Sequence, residues 1–130
     1  MPNQKQSNKT FEEVSQIIWD HLEARDWQNN PMRGLAISLV LEASELLEHY
    51  QWKETSVGSS EEVGEELADV FIYAFQIAQS LDINITEAIE KKLIKAGKKY
   101  PAEAFKGKSE VERKAAWIYA KTHHTKEGIL

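Results

Sequence analysis

Cysteine is absent from this 130-residue chain, and proline and glycine are scarce, at 3 and 6 residues. The first absence excludes disulfides, thiol nucleophiles and thiolate zinc sites, and makes a reducing, cytoplasmic interior the expected home. A surplus of positive charge is also missing. Sixteen Lys and Arg stand against 21 Asp and Glu, a net charge of -5, so the basic footprint of a protein that binds nucleic-acid polymers is lacking. Apolar stretches such as Gly34 to Leu41 are interrupted and far shorter than the roughly 20 residues that span a bilayer. No membrane partner is expected. The opening residues MPNQKQSNKT carry no apolar segment, so no secretory signal is expected either.

What the chain does have is helical periodicity. With 42% apolar residues and few breakers, it reads as all-α, a small bundle of four to five helices. The spacing predicts a first helix from Phe11 to about Asp26, opened by a Thr10/Glu13 capping box, with Phe11, Val14, Ile17, Ile18 and Leu22 on one face. Asn29, Asn30 and Pro31 interrupt it. A second helix is expected from Met32 to Lys53, and a third from Glu61 to Leu81 behind a Ser59/Glu62 box. Between them lies a tight connection, Glu54 to Ser60. A fourth starts at Asn84/Glu87 and ends near Tyr100, because Pro101 follows. Ser109/Glu112 opens a fifth. These helices form one domain over residues 10–122, with loose ends at 1–9 and 123–130. A chain this short buries only about two-thirds of its unfolded surface, and its Trp count and apolar third and fourth helices exceed what one small bundle covers. It is therefore expected to oligomerise.

Nine of the 21 carboxylates fall between Glu42 and Asp69. Two pairs share one spacing: Glu42 and Glu45 on the second helix, Glu66 and Asp69 on the third. Spacing of i, i+3 puts both members of a pair on one face. Each pair sits at the edge of an apolar arc, formed by Leu35, Leu39, Ala43, Leu46, Leu47 and Tyr50 on one helix and by Val63, Leu67, Val70, Phe71, Ala74 and Leu81 on the other. A short connection makes the helices antiparallel, so the four acids are expected to face one another. Converging carboxylates repel unless a cation neutralises them, and hard divalent cations such as Mg²⁺ or Mn²⁺ favour all-oxygen ligands. Solvated faces of Glu-rich helices produce the same spacing, so both readings stay open at this level. Glu62 shares the side of Glu66 and could join such a shell, although capping already explains it. A di-iron bundle needs Glu-x-x-His, and no His follows a Glu at that spacing. His21, His49, His123 and His124 are read as surface residues, and Trp19 and Trp117 as packing residues. No Gly-x-Ser-x-Gly or phosphate-cradling glycine loop occurs.

The segments LEASELLEHYQWK, EELADVFIYAFQIA and KKLIKAGKKYP resemble the MazG-like, all-α nucleoside triphosphate pyrophosphohydrolases, over about Asp26 to Lys108. The family mark, Glu-x-x-Glu followed by Glu-x-x-Asp, falls on Glu42, Glu45, Glu66 and Asp69. Within that family the chain is most similar to the compact dCTP pyrophosphatase type, on Arg25 to Trp27 and Tyr50 to Trp52. The resemblance implies Mg²⁺-dependent hydrolysis of a nucleoside triphosphate to monophosphate and pyrophosphate. The four acids would hold metal, and Glu42 or Glu45 would align or deprotonate the attacking water. It also implies a base and sugar pocket with Trp27, Trp52 and Tyr73, and Lys98 with Tyr100 on the phosphate side, where Lys53 adds a further cation. Subunits would assemble as dimers or tetramers.

Ala96 stands where many relatives have Asn, and Ile18 where dCTP-specific members have His. A related pyrimidine, a damaged nucleotide or a broad substrate range therefore fits as well as dCTP. The same acids would also suit a phosphoribosyl-ATP pyrophosphohydrolase, or a helical interaction module without catalysis.

Overall fold

A computed structural model describes residues 6–123, and every regular element among them is helical. Five α-helices follow in order: α1 Phe11–Glu23, α2 Met32–Glu48, α3 Ser60–Ser80, α4 Ile85–Lys99 and α5 Glu110–His123, with a 3-10 turn at Ala102–Ala104 before α5. The chain divides into two compact units, Met1–Ile85 and Thr86–Leu130. The sequence-derived domain, residues 10–122, spans both. Of its loose ends, residues 1–5 and 124–130 lie outside the described residues, and α5 continues through His123.

Local chemistry sets the helix ends. The Thr10 hydroxyl accepts from the Glu13 amide at 3.1 Å while the Glu13 carboxylate accepts from the Thr10 amide, which closes the expected capping box. Helix α1 stops at Glu23, short of Asp26, because Asp26 takes a left-handed conformation (φ 55°) and the Trp27 amide reaches back to the Leu22 carbonyl at 2.9 Å. Asp82 (φ 53°) ends α3 in the same way, with the Ile83 amide on the Ala78 carbonyl at 2.8 Å. Ser109 and Glu112 form the reciprocal box at α5. At α3, Ser59 accepts from the Glu62 amide at 3.1 Å.

Helix α2 ends at Glu48 rather than Lys53, so the connection to α3 runs over residues 49–59 and carries Trp52 and Lys53. The Val57 amide closes this loop onto the His49 carbonyl at 3.0 Å, which takes the chain out of the helix early.

In the first unit α3 packs against both α2 and α1. Its core joins Ile18 and Leu22 of α1 to Phe75 of α3, with Val14 and Ile85 against them. Burying side chains of this size stabilises by roughly 1.5–3 kcal/mol each. Phe11 lies on Phe75 with ring centroids 5.9 Å apart. Because α1 covers only this end of α3, the apolar arcs expected to face inward are partly open. Leu35 is buried, yet Leu47 and Phe71 are 60% and 53% exposed. An open groove of about 500 Å³, lined by Ala43, Leu46, Leu47, Tyr50, Val63 and Leu67, runs along α2 and α3.

In the second unit the Tyr100 amide makes the last helical bond of α4, to Ala96 at 2.8 Å, before Pro101 ends the helix. Tyr100 meets Phe105 edge-on at 6.1 Å. Trp117, expected to pack, is 49% exposed in this chain, with the Lys121 ammonium 4.6 Å from its ring centre. Among the described residues no helix is long and apolar enough to cross a membrane.

Candidate functional site

The antiparallel pair α2 and α3 carries the acids, and the two i, i+3 spacings meet across the helix interface. Glu42, Glu45, Glu66 and Asp69 each offer a carboxylate oxygen, and these oxygens all lie within 4.8 Å of one another. Glu42 and Glu66 are half-buried and Glu45 is exposed. The group therefore sits at the rim of the helix pair, open on one side to a ligand. Glu62 is not one of the four.

Ionised acids crowd badly here. The Glu42 carboxyl is pushed above the ordinary carboxylate range first by desolvation, then by the hydrogen bond that its protonated form makes to Glu45, and then by repulsion from Glu45, Asp69 and Glu66. Glu66 is raised by the same leading causes, desolvation and its hydrogen bond and repulsion with Glu45, while His49 pulls it the other way. Glu42 Oε2 is buried with no hydrogen-bond partner. An all-oxygen donor set, an orphaned buried carboxylate oxygen and mutual repulsion are what a hard divalent cation would relieve at once, so the residues present fit such an ion.

Trp27 is 55% exposed in the α1–α2 connection, with the Arg25 guanidinium 5.9 Å from its ring centre and His21 edge-on at 6.4 Å. Trp52 is 84% exposed on the α2–α3 loop, and Lys53 beside it is exposed. Tyr73 is half-buried on α3, one turn after Asp69. Lys98 and Tyr100 belong to the second unit, Lys98 exposed in the last turn of α4 and Tyr100 half-buried with the Lys99 ammonium 5.4 Å from its ring centre. The structure thus brings the four carboxylates of the candidate set together.

Sequence reasoning missed His49. Expected on the surface, its side chain is only 14% exposed and lies 3.9 Å from Glu66, Nε2 to Oε1. The reason is the loop, which folds back over the end of α2 and covers the ring. The signal available in the sequence is Gly58 in the serine-rich connection, a residue with no side chain to exclude the ring.

Comparison with known proteins places the chain in a family. The MazG-like family model matches residues 37–114, which include all four acids. Among curated proteins the chain is similar to dCTP pyrophosphatase 1 of Mus musculus, 29% identical over 107 residues, covering 75% of this chain and 63% of that protein. The Homo sapiens protein of the same name is 28% identical over 109 residues, covering 77% of this chain and 64% of that one. The match thus spans less than two-thirds of those relatives. Among solved structures, a pyrophosphatase from Archaeoglobus fulgidus DSM 4304 superposes with a TM-score of 0.61 at 32% identity, covering 76% of this chain and 99% of the other.

Proposed function

Because the chain belongs to the MazG-like family, we propose that it is a nucleoside triphosphate pyrophosphohydrolase, cleaving a (deoxy)nucleoside triphosphate to the monophosphate and pyrophosphate in nucleotide-pool house-cleaning. The convergence of Glu42, Glu45, Glu66 and Asp69 within 4.8 Å carries this reading. The relatives named dCTP pyrophosphatase 1 and the pyrophosphatase neighbour support the reaction class. A pyrimidine triphosphate, canonical or modified, is the substrate class we favour.

The four carboxylates would hold Mg²⁺, or Mn²⁺ in its place. When bound, such ions supply positive charge that offsets the triphosphate and lowers the pKa of nearby water. The chain's own residues do the rest. Glu42, whose burial and neighbours favour its protonated form when metal is absent, and the exposed Glu45 beside it are our candidates to align the attacking water or take its proton. In-line attack at the α-phosphorus releases pyrophosphate. Trp27, Trp52 and Tyr73 present aromatic faces for the base and sugar, and Lys53, Lys98 and Tyr100 are assigned to the phosphates.

We further propose self-association through the open apolar face of α2 and α3. Leu47 at 60% and Phe71 at 53% exposure, beside a groove of about 500 Å³, form the kind of apolar surface that a soluble monomer rarely leaves bare.

The test is turnover. The protein is incubated with each (d)NTP, with modified pyrimidine triphosphates and with phosphoribosyl-ATP in Mg²⁺ buffer, and pyrophosphate and orthophosphate are measured separately, beside Glu45→Ala and Asp69→Ala controls. Pyrophosphate release that both substitutions abolish supports the reading. Orthophosphate release refutes the cleavage position, and no turnover together with no metal binding favours an interaction module.

A further inference from the structure

His49 occupies an unusual place beside the acid cluster. It caps the C-terminus of α2, with its backbone amide shared between the Leu46 and Leu47 carbonyls, so its Cα is fixed by the helix. Its carbonyl accepts from Val57 at 3.0 Å, which draws the loop back over the ring. There Ser56 and Gly58 form a small turn, the Ser56 hydroxyl donating to the Gly58 carbonyl and the Gly58 amide donating to Ser56 Oγ, both at 3.1 Å.

Gly58 lies directly against the imidazole. A Cβ built there would fall 2.5 Å from His49 Cε1, nearer still to Nδ1, and 2.8 Å from Glu62 Oε2. These separations are well inside van der Waals contact, so the glycine at this position is a matter of space: its φ is not in the left-handed region. One edge of the ring is thus held by loop backbone. Nδ1 on that edge is buried without a hydrogen-bond partner, so the ring gains no polar contact from the loop. The free edge, Nε2, faces Glu66 Oε1 at 3.9 Å. A largely covered imidazole with one edge clamped and the other turned to a carboxylate is poorly explained by packing alone.

We propose that His49 is a positioning residue for Glu66: the loop, through Gly58, holds the imidazole in place, and the imidazole restricts the Glu66 carboxylate to the orientation in which it joins Glu42, Glu45 and Asp69. The inference rests on the metal reading above. Carboxylates that ligate metal ions are themselves held by outer partners, and removing such a partner typically weakens metal affinity by about 10–100-fold. At 3.9 Å the pair is beyond direct hydrogen-bond length. The ring therefore acts by limiting where the Glu66 carboxylate can swing.

The experiment measures Mn²⁺ affinity without nucleotide, by the electron paramagnetic resonance signal of free Mn²⁺, for wild type, His49→Ala, His49→Gln, Gly58→Ala and the double variant His49→Ala/Gly58→Ala. Metal-free melting temperature and far-UV circular dichroism are recorded for each. The expected result is about tenfold or greater weakening in His49→Ala, partial recovery in His49→Gln, whose side chain still fills part of the space beside Glu66, and weakening in Gly58→Ala, where the new methyl displaces the ring. In the double variant the methyl no longer meets a ring, so it binds no worse than His49→Ala alone, a non-additive result. A melting temperature that falls while Mn²⁺ affinity stays at the wild-type value assigns His49 to packing and overturns the proposal, as do additive losses in the double variant. Wild-type protein that binds no Mn²⁺, or a Glu66→Gln variant that binds it equally well, overturns the metal reading itself and the inference with it.

Discussion

The Gln79 side-chain amide of α3 donates both to the carbonyl and to the hydroxyl of Ser15 on α1, at 2.6 and 2.8 Å. This bond fastens the helix that carries Glu66 and Asp69 to the helix that supplies Ile18 and Leu22 to the core. Gln79→Ala is expected to destabilise the protein by about 1–2 kcal/mol, since a partly buried carbonyl loses its side-chain donor. Urea unfolding of both proteins measures the difference, and an unchanged midpoint would show that the bond adds nothing.

Replacing an acid of the cluster trades function for stability. Glu42→Gln keeps the shape of the side chain and, at a pH above the raised pKa of Glu42, removes a charge repelled by Glu45, Asp69 and Glu66. Without metal the variant is expected to melt higher than wild type. With Mg²⁺ it loses most of the ligand-induced rise in melting temperature and at least about 100-fold in kcat/KM, on the scale of removing a group that acts on the transition state. A variant that melts lower than wild type in EDTA would mean that repulsion does not govern this residue.

Stability has a definite pH signature. Glu42 and Glu66 have folded-state pKa values raised from the ordinary 4.5. Between that value and the raised ones, the folded chain binds more protons than the unfolded chain, so metal-free stability from these two groups is greatest at and below pH 4.5 and declines as pH rises through the raised values. Mg²⁺ requires the deprotonated acids, so the stabilisation it adds grows across the same interval. Melting temperatures of wild type and Glu42→Gln/Glu66→Gln, in EDTA and in Mg²⁺ from pH 4.5 to 8, isolate the two effects. Parallel curves for the two proteins in EDTA would contradict the assignment.

Trp52, 84% exposed on its loop, has the most contact to gain from a bound base. Stacking on an aromatic ring contributes about 1–3 kcal/mol per base. Trp52→Ala is therefore expected to raise KM by about tenfold with little change in kcat, and Trp52→Phe to retain most of the affinity while losing the Trp52 part of the fluorescence change on nucleotide binding. A fall in kcat with KM unchanged would place Trp52 with the reacting groups instead.

Two aspartates close their helices in a conformation suited to glycine. Asp82, at φ 53°, sits where a side chain costs about 1 kcal/mol or more. Asp82→Gly is expected to stabilise by roughly 0.5–1 kcal/mol, read as a higher melting temperature, without effect on metal binding.

The sequence by itself determined the helices, because caps and periodicity are local. Thr10/Glu13 and Ser109/Glu112 form the boxes their spacing predicts, and Pro101 ends α4. It also determined which four carboxylates meet, since two i, i+3 pairs on antiparallel helices leave little choice of partner. Local pattern failed where long-range contact decides. The end of α2 at Glu48 depends on Val57 bonding back to His49, and the placement of His49 beside Glu66 depends on Gly58 leaving room for a ring. The exposure of Leu47 and Phe71 was likewise invisible. A helical wheel reports that a face is apolar, whereas only the packed helices show whether anything in the chain covers it.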